Sequence, residues 1–334
     1  MSVNKKNTGT LWDLNKASFF MVVLPYIGFN WKELYESPYY SLGQAGIVLL
    51  LLISSSALAQ QESILAFYGN HLNLVNPAAV SVDGETQFRT SVRQQWAGVA
   101  DAPQTQAASF MSPVSKNLAI GFSVVRDQVF IEKQTFVAVD FSYKVQLNES
   151  LNLFMGIKAG GNNYEVNTSG LQTYNYNISD PSLQSISRFN PNIGVGFYLK
   201  SQNYYVSLST PKMLDTKRAK DEAGFASVAT DQAHYYFSTG RTFEVSPSLD
   251  IIPSVMLRYV NGAPFSTDFT TTLKYDDKIN FGVTYRTDRT LAGLASINVN
   301  KKFALGYAYE YSVRSETLGR SNGSNEFFLS YKFN

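Results

Sequence analysis

Histidine is the first residue type to consider for catalysis, and this chain has only His71 and His234. A Ser-His-acid hydrolase needs a base beside its nucleophile and often carries the serine in a G-x-S-x-G turn. No such turn accompanies His234, the more plausible base. Cysteine is absent, which removes thiol catalysis, Cys-based metal sites and disulfides. We expect a protein without enzyme activity, in which His234 is an aromatic residue at a rim.

Acidic, glycine-rich and basic clusters are the remaining candidates for chemistry. Asp276-Asp277 and Asp221-Glu222 could each hold calcium, but exposed carboxylates are usually solvated. Gly194-Val195-Gly196 lacks the strand–turn–helix context of a phosphate cradle. The basic run Lys217–Lys220 is either a solvated loop or a docking patch for an acidic partner. We therefore predict no metal and no cofactor.

The amino-acid composition indicates the class of fold in which these residues lie. Apolar residues make up 44% of the chain, aromatic residues 14% and charged residues only 16%, whereas soluble proteins carry about 25% charged residues. Mean hydropathy is −0.14, so the apolar residues are dispersed. Dispersed apolarity rich in Tyr and Phe is typical of membrane β-barrels, with their alternating strands and aromatic girdles. The net charge of +2 does not suggest a nucleic-acid partner.

One segment has the pattern of an export signal. The apolar run Ile47–Ile53 is too short to span a bilayer as a helix and is followed by Ala57-Leu58-Ala59, a small-residue cleavage site. We predict that residues 1–59 are removed and that the mature chain begins at Gln60. The long stretch before the apolar run reflects either a start codon assigned too far upstream or a genuine extension, in which Ala17–Phe29 could lie on a membrane.

Alternating polarity dominates the rest of the chain. Thr135–Val145 and Phe303–Arg314 place apolar or aromatic residues on one face and small or charged residues on the other, which predicts strands with two unlike faces. In a barrel the apolar face meets lipid and the polar face lines the lumen. The charged residues predicted to face inward are Asp140, Lys144, Lys158, Arg258, Lys274, Arg286 and Glu310. We predict an all-β fold, an antiparallel up-and-down transmembrane barrel of about 14 strands.

The connections between these strands alternate in length. Long polar segments at Val166–Asn190, Pro211–Asp231 and Arg314–Asn325 alternate with short turns, which predicts long outer loops and both chain ends in the periplasm. The short turns are Ser112–Asn117, Leu147–Ser150, Lys200–Asn203, Val245–Ser248, Tyr275–Lys278 and Asn298–Lys302. We assign residues 85–334 to the barrel. Residues 60–84 do not alternate and form either a periplasmic tail or a hatch inside the lumen.

A set of collinear phrases resembles a known family. From about Glu62 to the C-terminus the order is similar to the PorP/SprF family of outer-membrane proteins of type IX secretion and gliding-motility systems. The phrases are Asn76-Pro77-Ala78, Arg93-Gln94-Gln95-Trp96, Pro103-Gln104-Thr105, Phe110–Pro113, Gly194–Tyr198, Leu208–Pro211, Tyr307–Glu310 and Leu329–Phe333. Three features depart from the pattern: Ala97–Ala102 lengthens the spacing, Gln128–Phe130 lacks an expected glycine, and Asn325 replaces a common histidine.

The resemblance implies a protein that helps to secrete or anchor a large surface protein, often an adhesin, with a C-terminal sorting domain. Other type IX components and the lipid bilayer are the further partners implied. Arg93, Gln95 and Trp96 are the first candidates for partner binding, and the pattern adds Asn76, Pro77, Pro103 and Thr105. Their alternative role is packing of the barrel and its rim. The competing functions are a FadL-like transporter of apolar small molecules and a general porin.

Overall fold

The structure, a computed structural model, describes residues 65–168, 185–217, 230–261, 263–313 and 323–333. The predicted export signal, the pair Asp221-Glu222 and most of the basic run Lys217–Lys220 lie outside the described residues. Among the described residues no helix is long and apolar enough to cross a membrane.

Strands account for nearly all of the described structure. They are β1 (Gln87–Gln94), β2 (Gln104–Pro113), β3 (Leu118–Val129), β4 (Glu132–Gln146), β5 (Asn152–Val166), β6 (Ile186–Lys200), β7 (Tyr204–Thr210), β8 (Thr216–Lys217), β9 (Thr230–Asp231), β10 (His234–Arg241), β11 (Phe243–Ser246), β12 (Leu249–Val260), β13 (Ser266–Tyr275), β14 (Ile279–Arg286), β15 (Thr290–Asn298), β16 (Phe303–Ser312) and β17 (Ser324–Lys332).

Fourteen of these strands close into one antiparallel barrel, which confirms the predicted fold. Strands β1 to β7 pair in sequence, β7 pairs with β10, β10 with β12, and β12 to β17 continue in sequence. The pairing of β1 with β17 closes the sheet. Strand β11 pairs only with β12, and β8 and β9 form a separate two-stranded ladder.

The two faces of each strand differ as the alternation predicts. On β4, Val137, Val139 and Phe141 are exposed, whereas Asp140 and Ser142 between them are buried inside the barrel. The outer surface of the barrel is thus a belt of exposed Val, Ile, Leu, Phe and Tyr side chains. In water such a belt would be unstable, but in a bilayer it meets hydrocarbon, and closure leaves no unpaired strand edge.

All six predicted short turns lie at one end of the barrel, hereafter the short-turn end, and the three long connections lie at the opposite, long-loop end. The long-loop end also has tight connections, at residues 130–131 and 287–289, which the length rule does not predict. Phe130 and Arg289 have positive φ there, as tight hairpins require.

The wall of the barrel is not equally tall on all sides. Strands β4, β5 and β6 have 15 residues each, whereas β14 has eight. At roughly 3.3 Å per residue the taller strands carry about 20 Å of additional length. Much of this extra length lies at the long-loop end, because β7 pairs only with residues 195–200 of β6.

The segment Leu65–Gly84, hereafter the plug, lies inside the barrel. It forms a 3₁₀ turn at Tyr68–His71, a helical turn at Leu72–Val75 and a second 3₁₀ turn at Pro77–Ala79. The first of these turns begins near β17, and the chain leaves the plug at the short-turn end to enter β1. The barrel therefore encloses its own N-terminal segment in the lumen.

Candidate functional site: a plugged lumen and its outer rim

Glycines on the inner wall make room for the plug. A Cβ atom on Gly196 of β6 would overlap the side chain of Asn76, and one on Gly156 of β5 would overlap the backbone at Ala78. Any larger residue at either position would push the plug off the wall. The backbone of the wall therefore lies directly against the Asn76 side chain at one glycine and against the plug backbone at the other.

Asn76 fixes the plug in this position through three hydrogen bonds. Its amide Nδ2 donates to the carbonyl oxygen of Phe197 at 3.0 Å and to Ser207 Oγ at 2.8 Å. Its Oδ1 accepts from the Ala78 nitrogen at 2.9 Å and so caps the turn that begins at Pro77. Asn76 is completely buried, so each of these bonds replaces one to water that the side chain has lost.

Apolar contacts also hold the plug against the barrel wall. Tyr68, Leu72 and Ala78 pack with Phe154 of β5 and Tyr198 of β6 in one buried cluster. On the other side of the lumen Phe67 stacks on Phe328 of β17, with ring centroids 5.1 Å apart. The plug is packed against both sides of the barrel.

A charged network crosses the lumen beside the plug. Arg258 contacts Asp268 at 2.7 Å, and Asp268 contacts Arg286 at 3.0 Å. Arg286 lies 3.5 Å from Glu310, which accepts two hydrogen bonds from Arg93 at 2.6 and 3.0 Å. The alternation of signs keeps each buried charge compensated, as burial away from water requires.

The network ends on the plug itself. Glu326 lies 3.9 Å from Arg93 and accepts hydrogen bonds from the backbone nitrogens of Ala66 and Phe67. Across the lumen a separate pair, Lys158 and Asp140, has a 2.9 Å contact, and Lys158 also donates to the Asn73 carbonyl at 3.3 Å. Arg89 also donates to the Asn70 carbonyl and Lys200 to the Val82 carbonyl, so charged residues of the wall bind the plug backbone at several places.

His71 is the titratable residue of the plug itself. Its Nε2 lies 3.0 Å from Ser91 Oγ, and its ring meets Phe328 edge-on. Burial lowers the pKa of His71 to about 3, with a smaller contribution from the positive charge of Arg89. The ring is therefore neutral at physiological pH.

The residues singled out by sequence divide into three groups. Asn76 and Pro77 hold the plug, as described above. Arg93 and Thr105 face the lumen, where both are buried, and Thr105 donates to Asp127 at 2.5 Å. Lumen-facing side chains of this kind are accessible to a partner only from inside the barrel.

Gln95, Trp96 and Pro103 form the third group, at the rim of the long-loop end. The Gln95 nitrogen donates to the Pro103 carbonyl at 2.9 Å and closes the neck of the loop between β1 and β2. Trp96 has a φ of 47° and is 43% exposed. A hydrogen bond from the Ala97 nitrogen to the Gly323 carbonyl ties this loop to the start of β17. Trp96 is thus an exposed aromatic residue on a braced loop.

Sequence reasoning found part of the lumen network and missed the rest. Arg258, Arg286 and Glu310 face inward as predicted, but Asp268 and Glu326 were not recognised as their partners. The signal was present for Glu326, since it shares the period of two with Phe328 and Ser330 on β17. No cluster of three or more metal-binding side chains occurs in the described residues.

A closed 14-stranded barrel with a lipid-compatible outer belt and a plugged polar lumen defines an outer-membrane protein. The sequence matches the family described as "Type IX secretion system membrane protein PorP/SprF" over residues 57–331. The chain belongs to this family, which makes it a membrane component of a type IX secretion system. This family and fold are those of a secretion or transport barrel.

Solved structures with a similar fold are also outer-membrane barrels. The Acinetobacter baumannii outer membrane protein Omp33 is 10% identical, with 75% of this chain and 99% of that chain covered and a TM-score of 0.43. The P. putida toluene transporter TodX is 8% identical, with 78% and 94% covered and a TM-score of 0.48. A Pseudomonas aeruginosa FadL homologue is 12% identical, with 78% and 93% covered and a TM-score of 0.45. No curated protein matches the sequence.

Proposed function

We propose that this barrel helps to secrete or anchor a large, adhesin-like surface protein that carries a C-terminal sorting domain. Membership of the PorP/SprF family gives the type IX setting. The observation that carries the proposal is that the plug occupies the lumen and is bound to both sides of the barrel wall. A barrel filled in this way suits a fixed attachment point in the membrane better than a conduit for a folded polypeptide.

The rim offers a surface for such a partner. Trp96 is exposed on a loop that is bonded both to its own neck and to Gly323. Rigid, exposed aromatic residues bind partners with little loss of conformational entropy. We propose that Trp96 contacts the partner and that Gln95 and Pro103 hold it in place.

The lumen argues against the alternative of a transporter for apolar molecules. A continuous apolar path would have to pass Arg93, Arg286 and Glu310, which are charged and lie across the lumen. A cavity of about 90 Å³ does lie between the plug and the wall, lined in part by Val75, Phe136 and Met256. We interpret this cavity as space left by packing rather than a segment of a channel.

The test is affinity purification of the tagged protein from gently solubilised outer membranes, followed by mass spectrometry. We expect co-purification of a very large secreted protein with a C-terminal sorting domain, together with other type IX components. The variant Trp96→Ala should reduce recovery of the large protein at least several-fold. The matched control Tyr275→Ala removes an exposed aromatic residue at the opposite rim and should leave recovery unchanged. Purification of the barrel alone, or with a small apolar ligand, would contradict the proposal.

A further inference from the structure

The outer face of β2, β3 and β4 carries an unusual polar surface near the long-loop end. Six outward-facing side chains contribute amides, a hydroxyl and two cations, whereas the outer face of the same strands is apolar nearer the short-turn end. This polar patch consists of Gln104, Gln106, Arg126, Gln128, Lys133 and Thr135.

The strand register brings the six side chains together. Gln104 pairs with Gln128 and Gln106 with Arg126 across β2 and β3. Arg126 in turn pairs with Thr135, and Gln128 with Lys133, across β3 and β4. Arg126 and Lys133 are therefore diagonal neighbours on one face, at a separation of roughly 7–8 Å. Two long cationic side chains at this spacing can reach the same anion.

Neither cation of the polar patch is held in an ion pair. Within the described part of the chain Arg126 and Lys133 form no ion pair, in contrast to Arg93, Lys158 and Arg286 in the lumen. Glu165 of β5 pairs in register with Lys133 and brings one negative charge to the edge of the patch, where it accepts a 2.6 Å hydrogen bond from Asn163. Two cations beside one carboxylate leave the patch with a net positive charge for a ligand.

A cleft borders the polar patch at the rim. It has a volume of about 220 Å³ and is lined by Gln104, Gln128 and Phe130, with Gln94, Val99, Asp101 and Ala102 completing it. Phe130 is 53% exposed, has a φ of 53°, and is held by a hydrogen bond from its nitrogen to the Asp101 carbonyl. An exposed ring next to a row of amides is a surface that suits the hydroxyls and apolar faces of a sugar.

The height of the polar patch places it in the headgroup layer. One step further toward the short-turn end, the same strands turn apolar, with Ala108, Val124 and Val137 in register on the outer face. A charged side chain on the lipid-facing surface is tolerated near the interface but not at the bilayer centre. Outer-membrane barrels carry their long loops on the outer side, so a patch near the long-loop end faces the headgroups of the outer leaflet.

We propose that the polar patch binds the phosphorylated saccharide headgroup of an outer-leaflet glycolipid of the lipopolysaccharide type. Arg126 and Lys133 bind its phosphate through charge-assisted hydrogen bonds, and the glutamines bind sugar hydroxyls. The glycolipid holds the tall side of the barrel at a fixed height and orientation. This inference depends on the outer-membrane location and not on any secreted partner.

The test is native mass spectrometry of the full-length protein in detergent, titrated with lipopolysaccharide. The double variant Arg126→Gln/Lys133→Gln should lower the apparent affinity at least tenfold. The matched control Lys116→Gln/Lys301→Gln removes two exposed cations at the short-turn end and should change the affinity less than twofold. Retention of the heat-resistant folded band in both variants shows that the barrel is intact.

Three comparison ligands separate the possible sources of binding. Dephosphorylated lipopolysaccharide should bind at least tenfold more weakly to the wild type and equally to the double variant. Phosphatidylglycerol and inorganic phosphate should not compete at concentrations that saturate the patch with lipopolysaccharide. Equal binding of phosphatidylglycerol, competition by inorganic phosphate, or an equal loss in the control variant would overturn the proposal.

Discussion

The two sides of the barrel hold the same plug by different physical means. Strands β5 and β6 meet it mainly by shape, with glycines under Asn76 and Ala78 and aromatic rings around them, although Lys158 of β5 also donates to the Asn73 carbonyl. On the opposite side the charge network of β1, β16 and β17 reaches the plug through Glu326, beside the stacked rings of Phe67 and Phe328. The first side depends chiefly on the absence of side-chain atoms, and the second depends chiefly on the presence of paired charges.

This difference determines which changes each side tolerates. Close-packed contacts are sensitive to added volume and little affected by salt. Buried charge networks tolerate small changes of volume but are strongly destabilised when one partner is removed. A plug held by both kinds of contact stays in place under conditions that weaken either one alone. The predictions below perturb the shape side first and then the charge side.

The largest effect is expected for Gly196→Val on the shape side. The added Cβ overlaps Asn76, so the plug must leave the wall and lose both hydrogen bonds that join Asn76 to it. The cost should exceed the roughly 1–3 kcal/mol of ordinary overpacking. Limited proteolysis should then cut the plug in the folded barrel at least a hundredfold faster than in the wild type.

The control for this substitution is Gly293→Val on β15. A Cβ added to Gly293 meets nothing within 4 Å, because the residue points outward. This variant should therefore keep wild-type protease resistance. If the plug of Gly196→Val remained resistant to protease, the wall at β5 and β6 would tolerate the added side chain. The contacts on the charge side would then be enough to hold the plug.

An intermediate effect is expected for Glu310→Ala on the charge side. Removing one partner of a buried ion pair usually costs roughly 3–5 kcal/mol, but Arg93 keeps Glu326 and Arg286 keeps Asp268. We therefore expect a loss of about 2–3 kcal/mol, measured as a lower urea midpoint for unfolding in detergent. The control Glu165→Ala on the outer face should shift the midpoint little, and equal shifts would contradict a role of the network in stability.

The barrel itself could be predicted from the sequence because its signal is repeated. Period-two alternation in Thr135–Val145 recurs in strand after strand, so errors in single strands do not change the fold. Inward charges such as Asp140 and Lys158 follow from the same period. The lengths of the connections correctly predicted the short turns at the short-turn end. They did not predict that the long-loop end also has tight hairpins, such as the one at Phe130.

Contacts between distant segments could not be predicted in this way. Nothing local in the sequence relates Asn76 to Ser207 or Ala66 to Glu326, because a lumen contact depends on barrel closure. The motif residues Arg93 and Trp96 illustrate the limit. They are three residues apart and look like one motif, yet one is buried in the lumen and the other is exposed at the rim.

The smallest effect on the stability of the plugged state is expected from a change of pH. This effect comes from protonation of His71. Its pKa of about 3 in the plugged state lies well below the unperturbed value of about 6.5, so release of the plug takes up a proton between these values. The plugged state is therefore fully stable above pH 6.5 and loses stability as pH falls. At pH 5 the loss is about 2 kcal/mol, or roughly 30-fold in the population of the released state.

The absence of cysteine allows a direct measurement of this release. Ala79 is buried while the plug is in place, so the thiol of Ala79→Cys becomes accessible only when the plug is released. The rate at which a pH-tolerant disulfide reagent labels this thiol, divided by its rate with a free thiol at the same pH, measures release of the plug. The rate should rise about 30-fold from pH 7.5 to pH 5. His71→Phe keeps a ring beside Phe328 but cannot take up the proton, so its labelling should be nearly independent of pH. An equal rise in both variants would show that a group other than His71 causes the pH dependence and would contradict this prediction.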